Sequence, residues 1–91
     1  MANNLFISYD LMAPGQNYPK VTAAIESLGG WLKVHYSLYY VHTNLSAQQA
    51  AEHVWKSMDR NDKLVVIDAK DAYWFNLPDQ VTTAIQQHWN R

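Results

Sequence analysis

Asp10 is the first residue to weigh for chemistry. It closes the run Leu5-Phe6-Ile7-Ser8-Tyr9-Asp10, and a carboxylate at the exit of a rigid strand is where a metal-holding or proton-transferring acid can be placed. Asp also ends strands for plain turn reasons, because its carboxylate bonds nearby backbone. Ser37 could orient a water or a phosphate from a neighbouring strand, although serines on sheet faces commonly satisfy themselves locally. His35 could act as a general base if it neighbours Asp10 on the adjacent strand, since an imidazole changes charge near neutral pH. Tyr73-Trp74-Phe75 could stack on bases as in single-strand binders, or close the core or a dimer seam as an aromatic lid. His53 and His88 make no ligand spacing with another histidine or acid, and His35 and His42 face opposite ways in an unbroken strand. Pro14-Gly15 reads as a turn, and neither a Gly-rich phosphate loop nor a Ser-His-Asp set is present.

The elements that must hold these residues follow from periodicity. Residues 4 to 10 form a strand; Leu5, Ile7 and Tyr9 point one way and Phe6 the other, so it is central. Tyr18 to Leu28 is a helix with Val21, Ala24 and Ile25 on its inner stripe, ended by Gly29-Gly30, one of which supplies a left-handed cap. Residues 31 to 43 are too long for one ordinary strand, usually about 5 to 6 residues. They divide near His35-Tyr36 at a tight turn, or form one strand with a bulge. Ser46 and Gln49 make a capping box for a helix whose inner face carries Ala47, Ala50, Ala51, Val54 and Met58. Leu64-Val65-Val66-Ile67 reads as a strand buried on both sides, and Asp68 to Asn76 as a loop. Pro78 opens a last helix with Val81, Ala84, Ile85, His88 and Trp89 on its inner stripe.

This order predicts one α+β domain over residues 1–91, a ferredoxin-like βαββαβ unit with a C-terminal helix. Its four-stranded antiparallel sheet would carry helices on one face, with the first strand and the strand from Ser37 to Thr43 in the middle. The other face would be bare, and a twofold partner is the expected cover.

Composition narrows the classes of function. The net charge of −1 and the scattered lysines weaken the case for a phosphate-gripping protein, which usually shows a basic stripe. Four Trp and six Tyr in so short a chain exceed what one small core can enclose, so some rings should meet a partner. With no cysteine, neither disulfides nor thiolate metal sites are available. The first residues lack the blocks of a signal peptide, and no apolar run approaches the roughly 20 residues of a membrane span. A soluble cytoplasmic protein with no membrane partner is the expectation.

The Tyr9-Asp10-Leu11 strand end, the stretch Val34-His35-Tyr36-Ser37-Leu38-Tyr39, Leu45-Ser46-Ala47 at a helix start and the strand Asp62 to Ile67 together resemble the small CRISPR-associated Cas-two-like proteins. More closely, they resemble the SinR-like branch of that superfamily, which shares its plan with VapD-like ribonucleases. The resemblance spans about residues 4 to 70. It implies a homodimer in which Asp10 meets its twin across the twofold axis. In nuclease members such a pair would hold one magnesium or manganese ion, whose hardness suits carboxylate oxygens. Other members serve as binding scaffolds. The family's basic residue after the acid is missing, since residues 11 to 17 contain no Arg or Lys, and His35 replaces the Gln of its third-strand motif. Two functions are therefore expected in order. The first is a homodimeric module binding a protein or nucleic-acid partner through Tyr73, Trp74 and Phe75, in phage defence or a toxin-antitoxin-like setting. The second is a metal-dependent endonuclease of RNA or DNA built on paired Asp10 carboxylates, with Ser37 and His35 in support.

Overall fold

A computed structural model describes residues 2–12 and 18–89; the turn expected at Pro14-Gly15 lies outside them. The chain runs β1 (Asn3–Asp10), α1 (Tyr18–Glu26), β2 (Gly30–His35), β3 (Leu38–Thr43), α2 (Ala47–Trp55), β4 (Lys63–Asp68) and α3 (Asp79–His88). The strands form one antiparallel sheet in the order β2-β3-β1-β4, compatible with the expected ferredoxin-like plan and its C-terminal helix. The central places of β1 and β3 explain why both carry apolar side chains on two faces.

The first core lies between the sheet and α1 with α2. Leu5, Ile7 and Tyr9 alternate inward from β1, beside Tyr39 and Val41 of β3, and meet Val21 and Ile25 of α1 and Ala50 and Val54 of α2. Ser46 caps α2 as its spacing requires: the Gln49 amide donates to Ser46 Oγ at 3.1 Å, and the Ser46 amide donates to Gln49 Oε1 at 3.0 Å. Gly29 and Gly30 depart from expectation. Neither adopts a left-handed φ, and α1 has already ended at Glu26. Glycine is needed at 29 because a Cβ there would run into the carbonyl oxygen of His42 on β3.

The block from 31 to 43 contains both proposed irregularities. Tyr36-Ser37 is a two-residue turn between β2 and β3, and the register also slips between Lys33 and His35. Ser37 therefore sits in the turn, with φ 60°, and β3 begins at Leu38.

Both crossover helices cover one face, but the opposite face is not bare. There α3 contributes Val81 and Ile85 to a second core with Val34 and Tyr40, flanked by Phe6, Leu32, Leu38, Trp74, Leu77 and Trp89. The chain thus covers much of the face expected to await a twofold partner. The cover stops short of β4. This edge strand is not buried on both sides: Leu64 and Val66 pack on the first core, while Val65 and Ile67 are 54% and 53% exposed.

Candidate partner-binding site

Asp10 is exposed at the end of β1, and its register partner on β4 is Lys63. Among the described residues no group of three or more His, Asp or Glu side chains could hold a metal ion. A single chain supplies one of the two carboxylates that the paired-Asp10 arrangement calls for, and a magnesium or manganese ion held by such a pair would fill its other positions with water. His35 lies at the end of the edge strand β2, and β3 intervenes between it and β1. The adjacency to Asp10 that a general base would need is not formed. His35 Nδ1 instead lies 3.3 Å from the Tyr36 carbonyl oxygen. The Ser37 carbonyl accepts from the Tyr9 amide at 3.3 Å, so this residue closes the hairpin against β1.

The acid that organises this end of the sheet is Asp62, which the sequence reading placed only at the start of the strand Asp62 to Ile67. It is buried, and its Oδ1 and Oδ2 accept from the Met12 amide at 2.9 Å and the Asp59 amide at 2.8 Å. It therefore ties the exit of β1 to the entry of β4. A Ser–His contact also appears, Ser27 Oγ to His53 Nε2 at 2.9 Å. The Ser27 hydroxyl donates to the Ala24 carbonyl at 2.7 Å, so its oxygen accepts from Nε2–H. That is the wrong proton direction for a nucleophile and its base. The pair clasps the end of α1 to α2.

The aromatic tripeptide is split by the structure. After β4 the Ala69 amide continues the ladder, donating to the Asn4 carbonyl at 2.8 Å. Trp74 and Leu77 then turn into the second core, whereas Tyr73 and Phe75 are 86% and 85% exposed, their ring centroids 5.3 Å apart. Asn76, with φ 60°, turns the chain toward Pro78 and α3. The loop is pinned at Trp74 and Leu77 and presents two rings between the pins.

Beside it opens a cleft of about 710 Å³, lined by Lys70, Asp71, Tyr73, Trp74, Gln86 and Trp89, with Ile85 at its base. Of its aromatic lining, Trp89 is held from behind. Trp89 stacks on Tyr40 with centroids 6.0 Å apart and an interplanar angle of 17°, and it touches Phe6 at 6.2 Å. Tyr40 is fixed by its hydroxyl, which donates to Asn4 Oδ1 at 2.8 Å, and burial pushes its phenol up to about 12. Sequence reading found Trp74 and its neighbours by their clustering. It missed Lys70, Asp71, Gln86 and Trp89, because only the docking of α3 brings that helix's last turn beside the loop after β4. A family model, a curated protein and a solved structure were each sought, and none matches this chain.

Proposed function

We propose that the chain is a binding module of the Cas-two-like plan, working as a dimer in the cytoplasm and engaging a polypeptide partner through the loop after β4. The observation that carries this reading is the pair Tyr73 and Phe75, 86% and 85% exposed on a loop anchored on both sides. Leaving two large rings in water forgoes about 25 cal/mol for every Å² that burial would remove, and such patches mark interaction sites. A protein partner is favoured over nucleic acid because the loop segment from Asp68 to Asp79 sets three acids against one lysine. Dimer formation draws on the family resemblance and on the half-exposed Val65 and Ile67 along an uncovered edge strand. The defence or toxin-antitoxin-like setting draws on the resemblance alone.

The test is co-purification from the native cell, identification of the retained protein by mass spectrometry, and reconstitution from purified components. Replacing Tyr73 and Phe75 by Ala should abolish the reconstituted complex while leaving the thermal transition in place. Undiminished binding by that double variant would overturn the reading. Trp74→Ala is a poorer probe, because Trp74 also packs in the second core. Light scattering at micromolar concentration should report twice the 10.5 kDa chain mass, and a monomer there would remove the dimer.

A further inference from the structure

The cleft beside the loop has a chemistry that narrows the partner. Tyr73, Trp74 and Trp89 are three of the residues that line it. Indole and phenol faces carry negative quadrupole and attract a cation placed over them. Asp71 stands at the same rim, exposed, with its Oδ1 accepting from the Ala72 amide at 3.0 Å. That contact holds the carboxylate to the backbone and leaves further acceptor capacity. Gln86, on the exposed side of α3, adds a side-chain carbonyl. The opposing charge is Lys70, exposed on a flexible stem. Rings that are electron-rich, a carboxylate and an amide oxygen together match a planar cation with several N–H donors.

We propose that this cleft binds an arginine side chain of the partner polypeptide, the guanidinium lying against the Trp74–Trp89 wall and donating to Asp71. Arginine fits better than lysine because its planar, weakly hydrated head stacks on aromatic faces and forks onto a carboxylate. A polypeptide fits better than a free small cation because the cleft is continuous, through Tyr73, with the exposed Tyr73–Phe75 pair. The partner's neighbouring side chains would cover those rings. The inference rests on the binding-module reading and names what that module selects.

The experiment uses the full chain and three probes: a blocked Gly-Ser-Arg-Ser-Gly peptide, the same peptide with citrulline for arginine, and a short single-stranded oligonucleotide. The readout is movement of the Trp74 and Trp89 indole N–H resonances on titration. Citrulline keeps the shape of arginine and removes its charge, so the arginine peptide should bind roughly five- to tenfold more tightly. Asp71→Asn should weaken the arginine peptide several-fold, and Lys70→Gln should strengthen it. A phosphate-bearing ligand requires the opposite sign at both positions. Equal binding of the two peptides, tighter binding of the oligonucleotide, or indoles that do not move with any probe would each overturn the proposal. Failure here is separable from failure of the module. If the reconstituted complex needs Tyr73 and Phe75 yet ignores Asp71→Asn and Lys70→Gln, the arginine site is wrong and the module stands. If the complex ignores Tyr73 and Phe75, the module itself falls.

Discussion

Asp10 and Asp62 show how differently two acids at one end of a sheet can be used. Asp62 is buried and accepts two backbone amides, whereas Asp10 is exposed beside the strand position of Lys63. Removing the Asp62 carboxylate strips the Met12 and Asp59 amides of their acceptor. Charge-assisted bonds of this kind contribute about 1.5–3 kcal/mol each, part of which water can replace. Asp62→Ala should therefore lower the unfolding free energy by roughly 2–4 kcal/mol in a denaturant titration. Asp62→Asn, which keeps one acceptor oxygen, should cost less. Asp10→Asn should change stability by no more than about 0.5 kcal/mol, as at most exposed positions. It also tests the nuclease alternative directly. With magnesium or manganese added, wild type and Asp10→Asn should be equally inactive on RNA and DNA; cleavage by the wild type that the variant loses would establish the metal-dependent reading.

Among the elements, the junction of α1 with β2 is the most constrained by packing. Gly29 lies under the His42 carbonyl and the Thr43 side chain, and the Thr43 hydroxyl donates to the Leu28 carbonyl at 2.7 Å. A methyl group at 29 must push backbone, so Gly29→Ala should destabilise by about 1–3 kcal/mol, the range for overpacking. A left-handed cap would have predicted a φ-dependent cost instead, curable by Asn. Gly29→Asn should here be worse than Gly29→Ala, because the larger side chain meets the same carbonyl. The stability order of the two variants, read from thermal melts, checks which physical reason operates. Strand β4 shows the complementary point. Its apolar run contains no signal separating a strand covered on both faces from one at an edge, since that depends on how far α3 reaches across the sheet.

At the scale of the molecule, three tyrosines tie stability to alkaline pH. Burial raises Tyr9, Tyr39 and Tyr40, the latter two to about 12, and Glu26 adds to the rise at Tyr39 by accepting its hydroxyl at 3.2 Å. In the unfolded chain a phenol titrates near 10. Above that pH the unfolded state holds fewer protons than the folded one, so folding stability falls as pH rises. The contribution is complete below about 10 and drains away as pH passes toward 12. Thermal melts should be flat on the tyrosine account up to pH 9 and drop beyond pH 10, and Tyr40→Phe should make that drop shallower. The order of strands and helices, the division of residues 31–43 and the Ser46–Gln49 cap were all legible in the sequence, because periodicity, turn residues and capping act over a few neighbours along the chain. The cover that α3 gives the second face, the cleft between its last turn and the loop after β4, the separation of His35 from Asp10 and the burial of Asp62 were not. Each depends on residues far apart in the chain meeting across a sheet, and the free energy that chooses among such meetings comes from the burial of whole faces, which no short stretch of sequence encodes by itself.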